Sequence, residues 1–123
     1  MADHPTVTLI RKLHERTTAG RLRWEETADS SVFQAAFPDY AVQISERGED
    51  YYLRIFDSEG GLIDDIGDVE LGSLIGNPRE ALVILRETFT NARRSAKGLD
   101  RAVRSILDAL GQDDNDEDDD IPP

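Results

Sequence analysis

The apolar residues of this chain change period twice along its 123 positions, and those two changes constrain the fold more than any single motif. In the first segment Leu9, Ile10 and Leu13 recur at helical spacing with Thr17 one turn on, while Arg11, Lys12, Glu15 and Arg16 take the other side. Thr6 or Thr8 suits an N-cap, and Gly20 suits the left-handed residue that stops a helix, so the spacing predicts a helix over about residues 6–18. After Gly20 the period becomes two. Leu22 and Trp24 alternate with charged neighbours; Phe33, Ala35 and Phe37 alternate up to a Pro38-Asp39 turn; Tyr40, Val42 and Ile44 follow.

Beyond the polar stretch 46–50, Tyr51, Leu53 and Ile55 line one face and Tyr52, Arg54 and Phe56 the other. The turn Asp57-Ser58-Glu59-Gly60-Gly61 then leads to Leu62, Ile63 and Ile66. Links this short join antiparallel neighbours, because parallel strands need crossovers of about a dozen residues. Residues 67–78, with three glycines and a proline, read as an irregular connection. The helical period returns at Pro78, with Asn77 as cap, Leu82, Leu85, Phe89, Ala92 and Ala96 as the buried stripe, and Gly98 as the stop. A last helix is expected from Asp100, with Val103, Ile106, Leu107 and Leu110 on one face and Gly111 ending it. The expected architecture is α+β: an N-terminal helix, a three- to four-stranded antiparallel meander, and two C-terminal helices packed on one face of the sheet. Residues 1–111 form one domain in this reading. Residues 112–123, where positions 113–120 hold seven carboxylates, form a disordered acidic tail.

Charge follows the same segmentation. Residues 1–24 carry +3, residues 25–70 carry −11, residues 71–112 carry +3 and the tail −7, for a net −12. So acidic a surface repels nucleic-acid phosphates and anionic lipid, and it favours a basic protein partner. Direct binding to nucleic acid or membrane is not expected, and a homodimer is compatible with the pattern. The absence of cysteine excludes disulfides, thiolate catalysis and cysteine-bound zinc. Neither a signal-peptide pattern nor an apolar run long enough to span a bilayer occurs, so a cytoplasmic location is expected.

The acidic stretch Asp57, Glu59, Asp64, Asp65, Asp68 and Glu70 offers the oxygen atoms a hard cation takes. Its spacing fails the calcium-loop pattern, since Leu62 stands where the sixth-position glycine belongs and Asp68 where the glutamate belongs. The run from Gly67 to Ser73 lacks the lysine of a phosphate loop and carries two carboxylates. His4 and His14 have no partner visible in the sequence, and no serine sits in a nucleophile setting. Arg86, Arg93, Arg94, Lys97, Arg101 and Arg104 form a basic helical run, interleaved with Glu80, Glu87, Asp100 and Asp108. No metal or cofactor is expected from these patterns.

The segments GRLRWEET (20–27), Tyr40-x-Val42-x-Ile44, YYLRIFDSEGGLID (51–64) and ARRSAKGLDRAVRSIL (92–107) resemble a family of small uncharacterised bacterial proteins. The resemblance spans about residues 9–110, implies a bacterial source and a single domain, and brings no catalytic residue with it. Type III secretion chaperones are similar in size, acidity and helix-first order, but this chain departs from them in ending on two helices with no strand between.

The functional expectation is a non-enzymatic interaction domain that binds a basic protein surface through Tyr52, Phe56, Asp57, Glu59, Asp64, Asp65 and Asp68, where carboxylates stand beside strand aromatics. Two rivals remain: an acidic mimic of nucleic acid or a secretion-chaperone-like binder, and a metal-dependent enzyme using Asp57, Asp64, Asp65 and His14.

Overall fold

A computed structural model describes residues 4–111, which form five strands and four helices. The segment expected to be an acidic tail, residues 112–123, lies outside the described residues.

Helix α1 (Pro5–Thr18) begins one residue before the expected start. Its cap is His4, whose Nδ1 accepts the Thr6 N–H at 3.1 Å, and Pro5 takes the first helical position, where a missing N–H costs nothing. Val7, Ile10, Leu13 and Thr17 are the buried stripe; Leu9 faces outward.

The sheet is a continuous antiparallel meander in the order β1-β2-β3-β4-β5: β1 (Glu25–Glu26), β2 (Val32–Ala36), β3 (Tyr40–Arg47), β4 (Asp50–Asp57) and β5 (Leu62–Gly67). It has more strands than the three or four expected, because both edges are short or charged and carry little periodic signal. Leu22 and Trp24 precede β1 and are not paired in the sheet. Trp24 instead enters the core, almost fully buried, and its indole N–H donates to Thr17 Oγ1 at 3.0 Å.

Strand alternation separates two faces. The registers Ala35↔Val42↔Ile55 and Phe33↔Ile44↔Leu53↔Ile66 line up the side chains that the helices cover. Helix α3 (Pro78–Lys97) crosses them with Ala81, Ile84, Leu85, Thr88, Phe89 and Ala92 inward, and α1 packs on α3. Phe89 meets the rings of Phe33 and Tyr51 at 5.5 and 5.7 Å between centroids, both tilted, in the range where aromatic pairs add to simple burial.

Residues 67–78 are not the irregular connection that their glycines suggest. Asp68–Ile75 form helix α2, with Asp68 and Glu70 in its first turn, where carboxylates complement the helix dipole. Two of the glycines have specific roles in this helix. A Cβ on Gly72 would lie 2.9 Å from the Pro78 Cα, so glycine lets α2 approach the start of α3, and Gly76 at φ +82° is the left-handed stop. Asn77 caps α3 as expected, its Oδ1 accepting the Glu80 N–H at 3.1 Å.

Helix α4 (Leu99–Ala109) starts immediately after Gly98. Among the described residues it contacts α3 and reaches no strand. None of its residues is buried, and Leu99, Val103, Ile106 and Leu107, with Leu110 beyond its end, form an exposed apolar stripe.

Candidate functional site

The sheet face away from the helices carries Gln34, Gln43, Ser45, Arg47, Tyr52, Arg54, Phe56 and Asp65, as the alternation and registers require. Much of this face is satisfied within the sheet. Arg54 Nε pairs with Asp65 Oδ2 at 3.2 Å, Gln43 donates to Gln34 at 2.9 Å, and the Arg47 guanidinium stands 6.0 Å over the Tyr52 ring. Tyr52 also covers Gly67: a Cβ there would lie 2.9 Å from the ring. Tyr52 and Asp65 are therefore held by local partners of opposite or complementary character, and the centre of this face is close to neutral.

Carboxylates flank the sheet at both ends: Asp29, Glu46, Glu49 and Asp50 stand with Arg47 at the β3–β4 hairpin end, and among the described residues a second set stands without a cation at the other. The register pairs Tyr40 with Asp57, Ala41 with Phe56, and Phe56 with Leu62, so the β2–β3 turn and the β4–β5 hairpin lie side by side. Phe37, Tyr40, Leu62 and Ile63 are all 40–55% exposed there, beside Asp39, Asp57, Glu59 and Asp64. Residues 35–42 and 55–64 contain no lysine or arginine. The shift in register between Ile55 and Phe56 produces an irregularity near Ile63, a common way to re-aim a side chain near a sheet edge. Asp57 shapes the hairpin as well: its Oδ1 accepts the Glu59 N–H at 2.9 Å and the Gly61 N–H at 2.7 Å, which leaves Glu59 at the exposed tip. Asp64 Oδ1 accepts the Asp65 N–H at 2.8 Å, and two consecutive aspartates on β5, an edge strand, discourage pairing with a foreign strand.

Asp68 is separate from this surface. It opens α2 at the opposite end of β5, and its Oδ1 accepts the Tyr51 N–H at 3.4 Å. Of the seven expected residues, Phe56, Asp57, Glu59 and Asp64 lie at the strand end, Phe56 on the face away from the helices and Asp57 and Asp64 in register with Tyr40 and Ile55 on the other; Tyr52 and Asp65 sit inward on the same sheet, and Asp68 stands apart. Among the described residues no three His, Cys, Asp or Glu side chains gather as a metal-ligand group.

His14 has a partner that no sequence spacing revealed: its Nε2 lies 2.8 Å from Glu87 Oε1 on α3, joining α1 to α3 together with the Arg11–Glu80 ion pair. Tyr51 is pushed above the ordinary tyrosine value, chiefly by burial and then by the Glu46 carboxylate that accepts its O–H at 2.9 Å. Both contacts bind elements of the fold together and lie away from the strand-end surface.

A cleft of about 560 Å³ lies at the C-terminal ends of α1 and α3, lined in part by Arg21, Arg23, Arg94 and Arg101. The first two arginines precede β1 in a loop, so helical periodicity along α3 and α4 could not have grouped them with the others. No described helix is long and apolar enough to cross a membrane. No family model matches this chain, and no curated protein or solved structure matches it either.

Proposed function

We propose that this chain is a non-enzymatic protein-interaction domain whose strand-end surface docks a basic segment of another protein. The observation that carries the reading is the juxtaposition of exposed Phe37, Tyr40, Leu62 and Ile63 with four carboxylates and no cation in residues 35–42 and 55–64. Apolar side chains in such a patch supply desolvation energy on docking, while the carboxylates steer a cationic partner and select against acidic ones. The chain's net −12 extends that steering beyond the patch.

Selection of ligands from a random peptide library on the full chain tests this reading. Recovered peptides should combine Lys or Arg with apolar residues. Their affinity should fall steeply with salt, and it should fall about tenfold with Glu59→Lys plus Asp64→Lys, two exposed positions whose reversal leaves the core intact. Ligands without basic enrichment, or binding indifferent both to salt and to this double reversal, would refute it.

A further inference from the structure

We infer that the cleft where α1, α3 and α4 meet is a binding site for a compact, multiply charged anion of the phosphate class, distinct from the strand-end surface. The cleft concentrates positive charge in a strongly anionic molecule. Arg21 and Arg23 come from the loop after α1, Arg94 from the last turn of α3 and Arg101 from the first turn of α4, and among the described residues Asp100 is the one carboxylate on the wall. Among the described residues none of these four guanidiniums forms an ion pair or a side-chain hydrogen bond. The ion pairs among the described residues use cations elsewhere: Arg11, Lys12, His14, Arg54 and Lys97.

The hydroxyl groups of the cleft point to the same ligand chemistry. Thr17 Oγ1 accepts the Trp24 indole N–H at 3.0 Å, Ser95 Oγ accepts the Trp24 backbone N–H at 3.2 Å, and Thr18 Oγ1 accepts from Asn91 Nδ2 at 3.4 Å. Each oxygen thus serves the protein as an acceptor, and among the described residues each O–H is left without an acceptor of its own. Thr17 is 4% exposed and its oxygen is engaged by the buried indole, so it braces the wall of the cleft. The more exposed Thr18 and Ser95 hydroxyls, together with guanidinium forks, match phosphate oxygens, which only accept. Gly98 contributes sterically: at φ +70° it carries no Cβ, and a Cβ would lie 2.5 Å from Arg101 Nη2, so glycine leaves room for that guanidinium against the backbone.

Size and field decide which anion fits. About 560 Å³ is more than one phosphate fills and lies within the range of small-molecule sites. A compact anion can lie within about one Debye length of all four arginines at once.

Trp24 is the chain's single tryptophan and bonds to two of the cleft hydroxyls, which makes its emission the readout. The full chain is titrated with inorganic pyrophosphate at ionic strength held constant with sodium chloride, and again with sulfate. The expected result is a saturable change in Trp24 emission with half-saturation below about 1 mM for pyrophosphate, and weaker binding of sulfate. Arg94→Ala and Arg101→Ala should each weaken it about tenfold or more, and Arg79→Ala, at the far end of α3, should leave it unchanged. The alternative role for these arginines is to complement the negative C-terminal ends of α1 and α3. In that case Arg94→Ala lowers the melting temperature while pyrophosphate neither saturates nor shifts emission in the parent chain, and the inference fails. Equal weakening in all three variants means diffuse charge attraction and also overturns it.

Discussion

Trp24→Ala is the sharpest test of the packing described above. The indole is 1% exposed and lies among the residues that join α1 to the sheet and α3, so its removal deletes a large buried side chain and leaves a cavity between two layers. Loss of a buried tryptophan of this kind costs about 3–5 kcal/mol, against a total of about 5–15 kcal/mol for a domain of this size. With a urea slope of about 1.5 kcal/mol per molar, the unfolding midpoint should drop by about 2–3 M. Far-UV circular dichroism is the appropriate probe, since the substitution removes the fluorophore. A second variant, Thr17→Val, separates packing from hydrogen bonding: it keeps the volume but leaves the indole N–H without its 3.0 Å acceptor, at a cost of about 1–3 kcal/mol. A midpoint for Trp24→Ala within about 0.5 M of the parent would show that Trp24 does not anchor the two layers.

Three other substitutions probe separate features. Among the described residues Ser45 Oγ is buried on the sheet without a hydrogen-bond partner, so Ser45→Ala should be neutral or stabilise by up to about 1 kcal/mol, and a destabilisation of more than about 1 kcal/mol in chemical denaturation would reveal a partner for the hydroxyl. Gly72→Ala places a methyl group 2.9 Å from the Pro78 backbone and should cost about 1–3 kcal/mol by the same measurement; an unchanged midpoint would contradict the close approach of α2 to α3. Asp29 is held below its ordinary value of 3.8 chiefly by the Ser31 backbone N–H and then by the Ser31 hydroxyl, which donate to Oδ1 at 2.9 and 2.7 Å. A lowered carboxylate stabilises the fold at pH values above its unfolded pKa and loses that contribution as pH falls through the folded value. Asp29→Ala should therefore lower the melting temperature by a constant amount above about pH 5 and by a shrinking amount below about pH 4, and a penalty independent of pH would refute the assignment.

The fold was legible where one periodicity ran long enough to declare itself. Alternation through Tyr40–Arg47 and Asp50–Asp57 placed Tyr52 and Phe56 opposite Leu53 and Ile55, as the registers show. Stripe and cap residues likewise marked α3, with Asn77 before it and Gly98 after. The misses have physical causes. Helix α2 was hidden because Gly72 and Gly76 look like loop residues, although one answers to contact with Pro78 and the other to a left-handed stop. At α1 a histidine served as cap in place of either threonine.

The site was legible in composition more than in arrangement. The −11 block identified the acidic region, but only the pairing of Tyr40 with Asp57 and of Phe56 with Leu62 separates the strand-end carboxylates from Asp65, neutralised by Arg54, and from Asp68 on α2. Contacts that join remote segments, such as His14 with Glu87 or the grouping of Arg21 and Arg23 with Arg94 and Arg101, leave no periodic trace in a single sequence.

The most direct measurement of the strand-end reading is a map of amide chemical-shift changes when a selected Lys- or Arg-rich peptide is added to the ¹⁵N-labelled chain. The expected changes fall on residues 37–41 and 56–64, fade as salt is raised, and spare the α4 stripe. Changes centred on α4 or on the arginine cleft, with residues 56–64 unmoved, would contradict it.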